Sequence, residues 1–310
     1  MTSTDHSLKF AYVGLGEMGS AMAQNLQNWL AKNGHPSPLM VWNRSAAKAQ
    51  QLSGVKVAET LEEVAQYANI VFSCLLNDQA VRDCYDQLFK HLPQGKKTIF
   101  CEMSTIAPKL TCDLHTQATE LGAGLIATPI FGLPPKARAA ELIIIKAGDL
   151  KLREIVSPYL IPAMGNKTIE CGEDVGEALK MKLSGNSMVL GFAQVMADGL
   201  TLAAASGVGQ DKVVSFIEGM YPNTPLVAYV KKMAASEYAN ISFRVAGVKK
   251  DLKHIIELGA EYNIDLSAQR AMYSNFEEVE KLKGDNLDIT SVVGAVRSKA
   301  GLDFDLDKKE

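Results

Sequence analysis

The sequence predicts an α/β amino-terminal half built on a doubly wound parallel sheet, followed by an all-α carboxyl-terminal half that opens on one long helix. Three observations carry this. Up to about residue 170, short apolar runs alternate with amphipathic stretches, as successive βαβ units require. After Cys171-Gly172 the strand signals vanish and helical periodicity takes over. Gly176 to Ala205 then reads as a single interdomain helix of about 30 residues, ~45 Å long at the usual rise, apolar over most of its circumference. The expected division is a domain over 1–172 and a second over 173–310.

The expected strands are Phe10 to Val13, Leu39 to Trp42, Val55 to Val57, Ile70 to Cys74, Thr98 to Cys101, Gly124 to Ala127 and Leu142 to Lys146. Amphipathic stretches at Ser45 to Leu52, Leu61 to Ala68, Asp78 to Leu88 and Pro108 to Leu121 supply helices between them. The first strand runs straight into Gly14-Leu15-Gly16-Glu17-Met18-Gly19, and a helical pattern follows at once. Strand, Gly-x-Gly-x-x-Gly and helix in that order form the Rossmann-type cradle for a dinucleotide pyrophosphate. Gly14 permits the tight turn, Gly16 lets the backbone approach the ligand, and Gly19 lets the helix pack on the strand. The helix N-terminus adds unpaired N–H groups and a positive dipole end. In open parallel sheets ligands sit at the carboxyl ends of strands. That marks Leu75-Leu76-Asn77, Ser104-Thr105 and Pro129 to Pro135 as crevice-lining loops.

The second strand ends in Asn43-Arg44-Ser45. NAD-specific sites usually place Asp or Glu there, on the ribose 2′-hydroxyl. A carboxylate would repel a 2′-phosphate, whereas Arg44 can pair with one and Ser45 can donate to it. The expectation is NADP(H) over NAD(H). The competing reading makes Ser45 a helix N-cap and Arg44 a solvated charge.

Composition narrows the remaining classes. With 47% apolar and 22% charged residues the 310-residue chain can bury a sizeable core. A net charge of −3 without a long basic run disfavours nucleic acid as the main partner. Five scattered cysteines lack Cys-x-x-Cys spacing, and the histidines lack His-x-x-x-His pairs, so no metal site is expected. The polar start Met1 to Ser7 carries no signal core, and a cytoplasmic protein is expected. Gln194 and Asp198 interrupt the apolar stretch Ser187 to Val208, which reads as a buried helix and not as a membrane span. Such a helix needs cover, so a homodimer or larger assembly is expected. The tail after Leu302 is expected to fray.

On the long helix Lys182 and Asn186 are four apart and share one face, which continues through Val189, Leu190, Ala193 and Ala197. Most helical lysines are simply solvated, and Lys180 stands nearby. The choice between them comes from a resemblance. The run Tyr12 to Leu26 resembles the opening signature of the β-hydroxyacid dehydrogenases, the 3-hydroxyisobutyrate dehydrogenase and 6-phosphogluconate dehydrogenase-like enzymes. Four further stretches fall in the family's order. Asn43-Arg44-Ser45 resembles the NADP-preferring form of the second-strand motif. Glu102-Met-Ser104-Thr105-Ile-Ala-Pro108 resembles the Ser-Thr segment near the nicotinamide. Gly176-x-Ala178-x-x-x-Lys182-x-x-Gly185-Asn186 resembles the catalytic-lysine segment. Lys250-Asp251-Leu252 resembles the Lys-Asp motif that closes over the cofactor.

The resemblance implies hydride transfer between nicotinamide and a β-hydroxy acid, semialdehyde or related carbonyl, with Lys182 moving the proton on oxygen. It further implies Thr105 and Lys250 at the cofactor, and Ser104, Phe131, Gly132 and Asn186 at the substrate. One departure is pronounced. Where the family has a Pro-Val-Ser-Gly-Gly-like loop for the substrate carboxylate, this chain reads Pro129-Ile-Phe131-Gly132-Leu-Pro134-Pro135. Phe131 has no hydroxyl and the two prolines have no N–H, which favours a bulkier, more apolar carbonyl. Two alternatives stand beside this reading. One is an imine reductase-like enzyme, although such enzymes usually carry Asp or Tyr where Lys182 stands. The other is a non-catalytic NADP-binding module.

Overall fold

The computed structural model describes residues 7–306. The chain forms two compact units, divided between Lys182 and Leu183.

In the first unit six parallel strands form one sheet. They are β1 (Phe10–Val13), β2 (Met40–Trp42), β3 (Lys56–Val57), β4 (Ile70–Ser73), β5 (Ile99–Glu102) and β6 (Gly124–Ala127), in the order β3-β2-β1-β4-β5-β6. Helices α1 (Glu17–Lys32), α2 (Ala46–Ala49), α3 (Leu61–Tyr67), α4 (Asp78–Lys90) and α5 (Pro108–Glu120) make the crossovers. Chain order reverses between β1 and β4, which is where such sheets open a crevice at their carboxyl ends. Both faces of the sheet are covered. Ala11, Val13, Val71 and Phe100 enter one buried cluster, while Phe10, Tyr12, Phe72 and Cys101 enter the other. Continuous apolar runs are what two-sided burial demands.

The expected strand Leu142 to Lys146 exists but belongs to a different sheet. After β7 (Ile130–Phe131) and α6 (Pro134–Arg138) come β8 (Leu142–Lys146), α7 (Leu150–Leu160) and β9 (Gly165–Glu170). Strand β8 pairs antiparallel with β7 and parallel with β9 in a separate three-stranded sheet. Strand β9 left no sequence signal because most of Gly165–Glu170 faces water. Pairing with β8 holds it, and its last residue Glu170 bonds to Lys146 and Arg153.

Helix α8 (Val175–Ala205) starts in the first unit and runs on into the second. Val175, Ala178 and Leu179 are buried in a core cluster of the first unit, so the division falls inside the helix, beyond Gly172. The second unit is helical: α9 (Gln210–Met220), α10 (Pro225–Ala234), α11 (Val245–Glu261), α12 (Ser267–Lys283) and α13 (Val292–Lys299), with a short 3-10 turn at Ile289–Ser291. Among the described helices α8 alone is long and apolar enough to cross a membrane by length and composition. One of its faces is buried through Leu183, Leu190, Ala193, Ala197 and Leu200, while Met188, Phe192, Val195 and Leu202 are exposed.

The tail differs from expectation. Phe304 is buried edge-on against Tyr238, with ring centroids 5.8 Å apart, and the Leu306 N–H donates to the Ser236 hydroxyl at 2.8 Å. An aromatic residue among acids was enough to dock this segment. The remaining tail residues lie outside the described range.

Candidate functional site

The glycine turn is set by backbone sterics. Gly14 has φ +94, and a Cβ there would lie 2.3 Å from the Cys74 carbonyl oxygen. A Cβ on Gly19 would lie 2.0 Å from the Gly14 carbonyl oxygen. At Gly16, by contrast, a Cβ would meet nothing within 4 Å. Gly16 is the N-cap of α1, and no side chain caps that helix. Its first-turn N–H groups therefore remain for an anion. Glu17 opens the helix on the exposed side and Met18 is half-buried.

Leu15 and Asn43 are hydrogen-bonded to each other. The Leu15 side chain is buried, and its N–H donates to Asn43 Oδ1 at 2.9 Å. Asn43 Nδ2 donates to the Ser45 carbonyl at 3.0 Å. Asn43 thus ties the end of β2 to the glycine turn. Arg44 and Ser45 are exposed beside it. Ser45 occupies the N-cap of α2, yet its hydroxyl makes no capping bond.

At the ends of β4 and β5 a buried network appears that the sequence reading missed. Glu102 is fully enclosed. Its carboxylate accepts from the Ser73 hydroxyl and from the Ser104 N–H, the latter at 2.6 Å. The Ser73 and Tyr85 hydroxyl oxygens lie 2.9 Å apart. Burial pushes the Glu102 carboxyl above its usual range, while hydrogen bonds from Ser104 and Ser73 pull the other way. Ser104 is only 2% exposed, and its Oγ accepts the Leu75 N–H at 2.8 Å. The Ser104 hydroxyl thus braces the loop after β4. Leu76 is exposed, and Asn77 caps α4 by accepting from the Ala80 N–H at 2.9 Å. Thr105 is half-buried next to Ser104. The one available signal for the network was a carboxylate closing an otherwise apolar run, Ile99–Glu102.

Lys182 is 7% exposed, and its Nζ stands 4.2 Å from the centroid of the Phe131 ring. An aromatic face attracts an ammonium in this geometry. Lys180 instead pairs with Glu177 at 2.9 Å across one helical turn. Gly132 follows Phe131 with φ +143, which a side chain would strain. Leu133 is the N-cap of α6, whose first two residues are prolines.

One helical turn beyond Lys182, in the second unit, the Asn186 amide is buried and donates to Asp251 Oδ2 at 2.7 Å. The other Asp251 oxygen pairs with Lys250 Nζ at 2.8 Å. Sequence placed Asp251 in a motif but gave it no task. Here it accepts from the Asn186 amide. Among the described residues no group of three or more His, Cys, Asp or Glu is placed to hold a metal.

The residues at the sheet's switch point fit a nicotinamide dinucleotide. The space beside Gly16 is clear, the α1 N-terminus is uncapped, and Arg44 is exposed at the end of β2. Comparison with known proteins agrees. The family model for the NAD-binding domain of 6-phosphogluconate dehydrogenase matches residues 9–172. The one for the NAD-binding region of NADP-dependent 3-hydroxyisobutyrate dehydrogenase matches residues 176–296. The chain is 26% identical over 294 residues to an NADH-dependent oxidoreductase of Aspergillus ustus, covering 93% of this chain and 98% of that one. It is 27% identical over 296 residues to glyoxylate/succinic semialdehyde reductase 1 of Arabidopsis thaliana, covering 94% and 99%. A solved 3-hydroxyisobutyrate dehydrogenase of Mycobacterium tuberculosis, bound to L-serine, shares the fold with a TM-score of 0.79 at 22% identity, covering 94% and 99%. Fold and site together define an NAD(P)-dependent oxidoreductase. The chain belongs to the β-hydroxyacid dehydrogenase family.

Proposed function

We propose that this protein transfers hydride between NADP(H) and a β-hydroxy acid, semialdehyde or related carbonyl, with Lys182 as the general acid and base. The observation that carries the reading is the nearly buried Lys182 ammonium held over the Phe131 ring. When bound, the nicotinamide supplies or takes up the hydride. Lys182 does the proton work. As an ammonium it gives a proton to the carbonyl oxygen during reduction; as a neutral amine it takes one from the hydroxyl during oxidation. Asn186, one helical turn beyond Lys182, serves the substrate as the family resemblance implies.

The loop supports an apolar substituent on the carbonyl substrate. Phe131 offers a ring in place of a donor, and Pro134 and Pro135 offer no N–H. Arg44 and the uncapped Ser45 hydroxyl support NADP(H) over NAD(H). The exposed Met188, Phe192, Val195 and Leu202 on α8 support a homodimer, since so much apolar surface on one helix needs cover. Five scattered cysteines without Cys-x-x-Cys spacing support a cytoplasmic setting.

The test follows NADPH consumption over semialdehydes, keto acids, apolar aldehydes and imines. Lys182→Ala is expected to lower turnover by roughly 10²–10⁴-fold while NADPH still binds. Retained turnover would overturn the role of Lys182, and a preference for imines would move the assignment to an imine reductase. Arg44→Ala is expected to weaken NADPH by about tenfold, one lost charge-assisted contact, and to leave NADH unchanged; equal affinities in the wild type remove the NADP preference.

A further inference from the structure

The carboxyl ends of β4 and β5 hold a buried ionisable group that the hydride step does not use. Glu102 is out of contact with water, and its partners are a hydroxyl and an amide: Ser73 Oγ and Ser104 N–H. An apolar residue at this position would be the cheaper solution if only stability mattered. The contacts continue outward. The Ser104 N–H donates to Glu102 at 2.6 Å, and the Ser104 hydroxyl oxygen accepts the Leu75 N–H at 2.8 Å. Leu75 and Cys74 in turn form the wall that Gly14 turns against. A Cβ on Gly14 would lie 2.3 Å from the Cys74 carbonyl oxygen and 2.9 Å from Leu75 Cδ2. An unbroken path of contacts runs from Glu102 through Ser104 and Leu75 to the glycine turn.

We infer that Glu102 is a positioning residue for the dinucleotide site: through Ser104 it holds the Cys74–Leu75 segment against the turn at Gly14. The inference rests on the β1–α1 turn being the cofactor cradle. Ser104, with its N–H on Glu102 and its hydroxyl oxygen on the Leu75 N–H, then supports the cradle.

The test is a double-substitution cycle in the full chain. NADPH, and NADH in parallel, are titrated by fluorescence, with a thermal melt of every variant. Ser104→Ala and Glu102→Leu are each expected to raise the NADPH Kd about tenfold, and the double variant by little more than either, because both break one path. Glu102→Gln is expected to restore binding to within about threefold of wild type: its amide oxygen still accepts from Ser104, and the Ser73 hydroxyl rotates to accept from its N–H. In Ser104→Ala the substrate KM at saturating NADPH stays within about twofold. If Glu102→Leu does not fold, Ser73→Ala takes its place, with an expected rise of about threefold.

An unchanged Kd in Ser104→Ala with a raised substrate KM overturns the inference in favour of a substrate contact. A lowered melting midpoint with unchanged Kd in every variant overturns it in favour of a purely structural role. Additive effects in the double variant remove the Glu102 route and leave the cradle intact. If the wild type binds neither NADPH nor NADH, the cradle reading falls and takes the inference with it.

Discussion

The glycine turn and the neighbouring ends of β4 and β5 are built by different means. At the β1–α1 turn the backbone does the work: Gly14 and Gly19 bring main chain to within distances that no side chain permits, over a span of six residues. At the ends of β4 and β5, side chains do it, through hydrogen bonds joining Ser73 to Glu102 and Leu75 to Ser104 across 29 residues each. The first kind of support is rigid, since a carbonyl oxygen cannot be moved aside without moving a strand. The second is graded: each hydrogen bond can be removed singly, and the charge at its centre responds to pH. The lesson concerns tolerance. Substitution on the first side is all or nothing, whereas on the second side it tunes.

The largest expected effect lies on the rigid side. Gly19→Ala drives a Cβ into the Gly14 carbonyl at 2.0 Å. It is expected to destabilise the protein by about 3 kcal/mol or more and to lower the unfolding midpoint in a calorimetric scan by roughly 6–12 °C. A midpoint within a degree of wild type would mean that the turn yields. Ser73→Ala comes next, removing one partner each from the buried Glu102 carboxylate and the Tyr85 hydroxyl. Denaturant melts are expected to show a loss of about 2 kcal/mol, in the range for an unsatisfied buried group.

Gly16→Ala sharpens the contrast within the turn itself. Its Cβ meets nothing, so stability should change by less than about 1 kcal/mol. Cofactor affinity should nonetheless fall by about tenfold or more, because the methyl occupies the pyrophosphate approach. A variant that binds as tightly as wild type would place the phosphates elsewhere. The smallest effect is the pH dependence of Glu102. Its raised pKa means that the folded chain keeps this proton to higher pH than the unfolded chain. The stabilisation linked to that proton is complete below the unfolded carboxyl value of about 4.3 and is lost as pH rises through the folded value. Glu102→Gln has no such proton, so a plot of its melting midpoint against pH should lack this contribution.

The glycine turn and its helix, the alternation that builds the parallel sheet, and the lysine and asparagine one turn apart on α8 were all legible from neighbouring residues. Strand β9 was not, because a mostly exposed strand shows no apolar period. The roles of Asn43 and Ser104 were also hidden. Both are small polar residues at strand ends, where ligand contact and internal bracing look alike in sequence. Phe131 was legible as a departure from the family loop, but the cation over its ring was not.

Steric demands and hydrophobic periodicity act between residues close along the chain, and so the sequence by itself determined the class of fold, the glycine turn and the lysine at the start of the long helix. Which hydroxyls brace and which remain to bind, where Asp251 points Asn186, and that Glu102 is sealed from water depend on groups brought together from distant positions. Hydrogen bonds of that kind have no period and no fixed spacing, and only the packed tertiary structure decides their partners.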